Sequence, residues 1–169
     1  MFGLCSQEKF IPDIYKFSSI EDRLELIQGL LDTDGWAGKD NILQFYTTSK
    51  RLKDDFNQII LSLGGTTQIY EGVGKYKVDG KQKICSKYYT LTIKIDDPSI
   101  LVSLPRKKAR LHLRHSHLPR RSISSIERIA NAPGKCLTVD SKSHLYIAKD
   151  YIVTHNTLSI QLLAEELQR

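Results

Sequence analysis

Cysteine and tryptophan are scarce in this chain of 169 residues, which has three cysteines and one tryptophan. Cys5, Cys85 and Cys136 are widely spaced and odd in number, so they suggest neither a disulfide framework nor a metal-binding cluster. No apolar run approaches the roughly 18 residues that a membrane span needs. The N-terminus lacks a basic segment followed by an apolar one, as a secretory signal requires. These absences predict a protein of the reducing cytoplasm with no membrane partner.

Acidic residues are missing from one segment, although the whole chain carries a formal net charge of only +6. Residues 105–121 contain seven Arg or Lys and three His, and prolines bound the segment at both ends. Such a charge run favours contact with a polyanion. We interpret it as a basic linker, and we consider a zinc site at its alternating histidines the less favoured alternative.

Two helices and four strands are predicted before this linker. Ser18 to Glu21 has the pattern of a capping box, which predicts a helix from about Ser19 to Asp32. Ser49 caps a second helix that Gly64 and Gly65 end. Residues 36–48 read as two short strands, and segments 66–75 and 87–95 as a hairpin with an Asp-Gly turn. The predicted order is helix, two strands, helix, two strands.

The first helix has two unusual features. Gly29 lies inside it at a cost of about 1 kcal/mol relative to alanine, which close approach of a second helix would compensate. Asp32 and Asp34 lie at its C-terminal end, where the helix dipole disfavours negative charge. Because these acids interact unfavourably with the helix dipole, we expect them to have a function, such as binding a divalent cation.

The segment Ile27 to Gly35 closely resembles the LAGLIDADG dodecapeptide of homing endonucleases. It aligns with all nine letters of that name, and it departs at Ile for Leu, Gln for Ala, Leu for Ile and Thr for Ala. The helix and strand order also looks like that of the intein-borne members. The resemblance covers about residues 4–110.

This resemblance implies that two such helices pack together beside double-stranded DNA. The last aspartate of the motif, here Asp34, would bind a catalytic Mg²⁺, and the main-chain carbonyl of Thr33 would be a further ligand. The strands would form a curved sheet in the major groove, where side chains read base edges. Because a single dodecapeptide occurs here, the resemblance also implies a partner: a second copy, or a missing N-terminal half.

A basic residue usually assists the metal in this family. We place it at Lys107, with Lys108 and Lys87 as competitors. Basic side chains in and near the linker are the candidates for phosphate contact. Besides Lys107 they are Lys87, Arg106, Lys108, Arg110, Arg114, Arg120 and Arg121.

A second signature lies near the C-terminus, at Thr154-His155-Asn156-Thr157. An asparagine side chain can attack its own main-chain carbonyl, form a succinimide and break the chain. Together with Lys135 to Asp140 and His144 to Tyr146, this segment resembles the C-terminal motifs of inteins. The resemblance implies that Asn156 cyclises, that His155 and His144 assist, and that Thr157 is the downstream nucleophile.

Cys136 has two interpretations. Some inteins carry at this place a cysteine that attacks the upstream junction directly, with a threonine before the penultimate histidine, as Thr154 is here. The alternative is a small buried hydrophobic residue. The tryptophan that completes the first pattern has no counterpart, because Trp36 directly follows the dodecapeptide.

The expected fold is α+β: one LAGLIDADG αββαββ half-domain (1–104), the basic linker (105–121), C-terminal strands of an intein (Hint) fold (122–156) and a host segment (157–169). The N-terminal splicing half is expected as a separate partner. The host is predicted to be a nucleotide-hydrolysing protein. The favoured function is metal-dependent DNA cleavage joined to self-splicing, and the alternative is a non-catalytic DNA-binding remnant of a degenerate intein.

Overall fold

The computed structural model describes residues 5–78, 80–113, 122–128, 130–131, 133 and 137–155. The chain divides into two compact units, residues 1–121 and 122–169. Among the described helices, none is both long and apolar enough to span a bilayer.

In its described residues, the first unit contains four helices, a 3₁₀ turn and one four-stranded antiparallel sheet. Its helices are α1 (Asp13–Lys16), α2 (Ile20–Asp34), α3 (Lys50–Ser62) and α4 (Pro105–Lys108), and the 3₁₀ turn is Pro98–Leu101. Its strands are β1 (Gly35–Ala37), β2 (Leu43–Thr47), β3 (Thr66–Val78) and β4 (Lys81–Lys94). The sheet order is β1-β2-β4-β3. The predicted order of helix, two strands, helix, two strands is found in α2, β1, β2, α3, β3 and β4, and the short helices α1 and α4 were not predicted.

Helices α2 and α3 cover one face of this sheet because their apolar stripes meet the inward-facing strand residues. Phe45 of β2 stacks on Phe56 of α3, with ring centroids 4.2 Å apart and nearly parallel planes. Ile27 and Leu31 of α2 are fully buried in the same core, and each side chain contributes about 1.5–3 kcal/mol of burial. This packing fixes the direction of α2 and therefore the place where its C-terminus emerges.

The N-cap residue of α3 is the predicted one, whereas the N-cap residue of α2 differs from the prediction. Ser49 caps α3 as predicted, and its hydroxyl accepts the Leu52 N–H at 3.0 Å. Helix α2 is capped by Ser19, which accepts the Asp22 N–H at 3.1 Å, so the predicted box at Ser18 and Glu21 is wrong by one residue. Ser18 instead donates its hydroxyl to the carbonyl of Tyr15.

Strands β3 and β4 are longer than predicted, and their pairing shifts between Val73 and Lys75. The turn of the hairpin includes Gly80 at a φ of +72°, a conformation that glycine adopts without steric cost. The lengthened hairpin is exposed along most of its outer part.

A short hairpin is the regular structure described in the second unit. Strand β5 (Leu145–Ile147) pairs with β6 (Val153–His155), and a 3₁₀ turn (Lys149–Tyr151) connects them. Of the C-terminal strands expected within residues 122–156, none is found in the described residues 122–128 or 137–140. Strands need neighbours to pair their backbone groups, and in the described part of this unit no residue is buried.

Candidate functional site

Asp34 is the last residue of helix α2, and its side chain is exposed. It lines a cleft of about 330 Å³. The other lining residues are Ser6, Lys9, Tyr46, Thr47, Thr48, Leu52 and Tyr88. The carboxylate therefore lies at the surface in a concave setting, open to a ligand approaching from solvent.

Gly35 makes the sharp exit from α2 possible. It is extended, with φ −93° and ψ 155°. A Cβ placed on it would overlap the main-chain carbonyl of Leu31. Helix α2 and strand β1 can follow each other directly only because this position lacks a side chain.

The side-chain hydroxyl of Thr33 is used in hydrogen bonds within α2. Its hydroxyl donates to the carbonyls of Gly29 and Leu30, at 3.0 and 3.1 Å. Its contribution to a metal site would therefore be the main-chain oxygen, as the sequence resemblance implied.

Oxygen atoms such as the Asp34 carboxylate and the Thr33 carbonyl are the ligands that Mg²⁺ prefers. Within the described ranges, however, no three His, Cys, Asp or Glu side chains gather into a metal-binding group. One carboxylate and one main-chain carbonyl have the chemistry of an oxygen-ligand site, but by themselves they are too few ligands to complete it.

Lys107 is buried, with 6% of its surface exposed, and it is not among the residues that line the cleft. Its ammonium donates to the main-chain carbonyls of Leu31, Asp32 (3.0 Å) and Gly35 (2.7 Å) at the end of α2. The last carbonyls of a helix have no partner within the helix, and a cation there also complements the helix dipole. Lys107 thus caps α2 at its C-terminus.

Burial lowers the pKa of the Lys107 amine, and the nearby Arg106 charge adds to this effect, while Asp32 and Asp34 oppose it. Three donated hydrogen bonds require all three N–H groups of the protonated form. The geometry around Lys107 is therefore that of an ammonium ion with its donors fully used.

Asp32, near the end of α2, binds the segment just before α4, whereas Lys107 of α4 binds the end of α2. Its carboxylate accepts the N–H of Ser103 at 3.0 Å, the N–H of Leu104 at 3.4 Å and the hydroxyl of Ser103. Partial burial alone would raise the pKa of Asp32, but these hydrogen bonds and the Lys107 charge outweigh it, so the pKa lies below its ordinary value. Of the two acids that the sequence singled out, Asp32 is bound within the fold and Asp34 lies open.

The outer face of α2 is open around Gly29. A Cβ on Gly29 would meet no atom within 4 Å. Leu26 and Leu30, on the same side, are only partly buried and line an apolar pocket of about 300 Å³. A helix with a small residue flanked by half-buried leucines has the surface that close helix packing needs.

The start of the predicted basic linker is folded onto the first unit. Leu111 is buried in the core, and the side chain of Asn41 exchanges two hydrogen bonds with the backbone of His112 at 2.9 and 3.0 Å. Arg110 donates to the carbonyl of Ala37 at 3.0 Å. Residues 105–113 are therefore not a linker in the structure.

Arg106, Lys108 and Arg110 are exposed in this packed segment. Arg106 and Arg110 line a small cavity of about 80 Å³ beside Trp36. These three residues remain candidates for phosphate contact. The other candidates from the linker, Arg114, Arg120 and Arg121, lie outside the described residues.

The sheet face opposite the helices is polar and accessible, and we call it the open sheet face. Directly paired residues share a face, and two rows of pairs cross the sheet here. The first row is Trp36, Gln44, Thr92 and Gln68, and the second is Tyr46, Thr90 and Tyr70. Within it, Gln44 donates to Thr92 at 2.9 Å and accepts from Tyr46 at 2.5 Å.

Lys87 is not on the open sheet face. Side chains alternate along a strand, and Lys87 falls on the same side as the buried Tyr89 and Leu91. It forms a 2.6 Å ion pair with Glu71 where the hairpin extends past α3. Lys87 is therefore on the opposite side of the sheet from the polar face, and it is not among the residues that line the cleft with Asp34.

The hairpin of the second unit brings two of the predicted splicing residues together. The ring centroids of His144 and His155 are 6.2 Å apart, because Leu145, which follows His144, pairs with His155. Thr154 precedes His155 and pairs with Tyr146. Cys136, Asn156 and Thr157 lie outside the described residues.

Comparison with known proteins agrees with this geometry. Residues 21–95 match the LAGLIDADG-like domain family, so the resemblance expected from the dodecapeptide is confirmed over these residues. The matched segment runs from the first turn of α2 to the end of β4, and it contains Asp34 and the open sheet face.

The chain is also similar to a replicative DNA helicase DnaB of Mycobacterium intracellulare. The two are 34% identical over an alignment of 161 residues, and the match covers 92% of this chain. The chain spans about a quarter (27%) of the length of that protein.

Proposed function

We propose that residues 5–113 are one half of a metal-dependent homing endonuclease that cleaves double-stranded DNA when paired with a second half. The observation that carries the proposal is the exposed Asp34 carboxylate at the capped end of α2. The match of residues 21–95 to the LAGLIDADG-like family supports it. Domains of this family generally bind DNA and act as dimers or pseudo-dimers.

In this proposal Asp34 and the Thr33 carbonyl hold Mg²⁺ together with the same atoms of a second helix. The bound metal would supply activation of water and stabilisation of the leaving oxygen. The open face of α2 around Gly29 would receive the second helix, which brings the two aspartates to one place.

The open sheet face is the surface that we assign to base reading. Its amide and hydroxyl groups can donate to or accept from base edges in the major groove. Arg106, Lys108 and Arg110 would contact phosphates, which position the protein without reading sequence.

The experiment is a nicking and cleavage assay on a plasmid carrying the uninterrupted host coding sequence, with and without Mg²⁺. We expect Asp34→Asn to abolish cleavage and to retain DNA binding. Asp54→Asn is the matched control, because it removes an exposed carboxylate of α3 that forms an ion pair with Lys53. DNA binding by the wild-type protein with no cleavage under any metal condition would instead favour the non-catalytic remnant.

We further propose that residues 122–156 are the C-terminal part of an intein and that a host segment follows. The proximity of His144 and His155 supports this assignment. The similarity to a protein named as a replicative DNA helicase supports a nucleotide-hydrolysing host. The N-terminal splicing half would be the partner that completes the fold.

The splicing proposal is tested by adding a matching N-terminal splicing fragment. Residues 157–169 should be released, and mass spectrometry would detect them. An Asn156→Ala variant should retain its tail, whereas release from this variant would refute cyclisation at Asn156.

A further inference from the structure

Lys107 contacts the chain on both sides of the Thr33–Asp34 step. Two of its acceptors, the carbonyls of Leu31 and Asp32, precede this step, and the third, the carbonyl of Gly35, follows it. The Thr33 carbonyl is not among these acceptors. The ammonium therefore holds the backbone around the two groups that we assign to the metal, without occupying either of them.

The same lysine has no donor left for DNA or water. An ammonium has three N–H groups, and three carbonyls accept them. With 6% of its surface exposed, Lys107 would have to leave its carbonyls to reach a phosphate. A carbonyl left unpaired in a buried setting is unfavourable, so this departure would destabilise the end of α2.

Asp32 completes the connection in the other direction. Its carboxylate accepts the backbone N–H groups of Ser103 and Leu104, which immediately precede the short helix that carries Lys107. The two residues form a reciprocal clamp: an acid of α2 holds the start of α4, and a base of α4 holds the end of α2.

We propose that this Asp32–Lys107 clamp positions Asp34 for metal binding, and that Lys107 is a positioning residue with no direct contact to DNA. The inference rests on the proposed nuclease function and revises the role that the sequence resemblance implied for Lys107. It also divides the two acids of the dodecapeptide, since Asp32 orders the site and Asp34 binds the metal. The exposed neighbours of Lys107, Arg106 and Lys108, are then placed at a fixed distance from Asp34.

The first test measures amide hydrogen exchange in the metal-free protein, with Lys107→Met, Asp32→Asn and the control Lys50→Met, a change of an exposed lysine on α3. Lys107→Met and Asp32→Asn should speed exchange at residues 33–37 by tenfold or more, while the rest of the sheet stays protected. The control should leave this segment unchanged. Unchanged exchange in both clamp variants would overturn the proposal, whether or not the wild-type protein cleaves DNA.

The second test measures cleavage as a function of Mg²⁺ concentration and pH. Lys107→Met should raise the Mg²⁺ concentration for half-maximal cleavage by about tenfold, and saturating Mg²⁺ should restore the rate to within a few-fold. The pH profile should keep its shape, and Lys107→Arg should recover part of the metal affinity. A rate loss of a hundredfold at saturating Mg²⁺, with an altered pH profile, would show that Lys107 acts directly and would overturn the proposal.

If Lys107→Met does not fold, Asp32→Asn tests the same clamp from its other residue, because this change removes one charge at nearly constant size. It should show the same shift in Mg²⁺ requirement. A wild-type protein that cleaves no DNA would refute the proposed function, and hydrogen exchange at residues 33–37 would still decide whether the clamp orders the end of α2.

Discussion

Replacing Gly29 with alanine should change the stability of the single chain and the pairing of two chains in opposite directions. In the single chain the new Cβ meets no atom within 4 Å. Alanine also favours a helix interior by about 1 kcal/mol over glycine. The free energy of unfolding of the isolated half-domain should therefore increase by roughly 0.5–1 kcal/mol.

Pairing should weaken in the same variant because the methyl group lies on the open face of α2. Overpacking a close contact costs typically 1–3 kcal/mol, and a symmetric pair has two such sites. The expected loss of about 2 kcal/mol or more corresponds to roughly thirtyfold weaker pairing, at a factor of ten for each 1.4 kcal/mol. Cleavage at protein concentrations below the new dissociation constant should fall in parallel.

The assay combines urea unfolding at low protein concentration with sedimentation equilibrium and plasmid cleavage at several concentrations. Lys50→Ala, an exposed change on α3, is the control and should alter neither pairing nor cleavage. A Gly29→Ala protein that is more stable as a monomer and pairs or cleaves as well as the wild type would refute the assignment of this face to a second helix.

Three further predictions concern the packing that holds the site. Asp55→Ala should lower the free energy of unfolding by about 1–3 kcal/mol in urea, because it leaves the Ile11 N–H (2.9 Å) without its acceptor and removes one of the two carboxylates that contact the Lys16 ammonium. Hydrogen bonds to Asp13 and Asp55 raise the pKa of Lys16 above its ordinary 10.5, so its stabilisation is complete below pH 10.5 and is lost as the pH rises through the folded-state pKa. The stability difference between wild type and Lys16→Met should accordingly narrow above pH 10.5, and a constant difference up to pH 12 would contradict the pairing. Gly35→Ala should cost about 1–3 kcal/mol of unfolding free energy and displace the end of α2, which loss of cleavage and a lowered urea midpoint would report.

The elements of the first unit could be predicted because local signals and long-range packing agree there. Apolar residues recur at helical spacing in α2 and α3, and Ser49 and Gly64 mark a beginning and an end that the structure keeps. The β-forming residues of β2 likewise lie in a paired strand, and the predicted glycine lies in the turn of the long hairpin. The predicted N-cap of α2 was wrong by one residue because Ser18 and Ser19 are adjacent and both carry a hydroxyl that can cap a helix.

The roles of the charged residues could not be read in the same way, because they depend on contacts between distant segments. Lys107 lies in a run of bases that suggested a solvated linker, yet it is buried against carbonyls more than 70 positions earlier in the chain. Asp55 looks like an ordinary helical acid, but the core-facing side of α3 places it on the Ile11 N–H. Lys87 required the register of β3 and β4 before its face was known.

In the second unit, β-forming residues alone predicted too many strands. A strand is stabilised by its neighbours more than by its own composition. The hairpin of β5 and β6 supplies each strand with a partner, and no neighbouring strand pairs with residues 122–128 or 137–140. A prediction from residue types is weakest where the rest of a sheet must be provided by other segments.

In the proposed function, Asp34 at the end of α2 supports DNA cleavage only when a second LAGLIDADG half, here tested as a second copy of this chain, is paired beside it. The most direct measurement is the initial rate of Mg²⁺-dependent cleavage against protein concentration, for the wild type and for wild type mixed with increasing Asp34→Asn protein. The rate should rise with about the square of the protein concentration below the dissociation constant, and it should fall to nearly nothing as the variant pairs with the wild-type chains. A first-order rate that the variant leaves unchanged would contradict the proposed pairing.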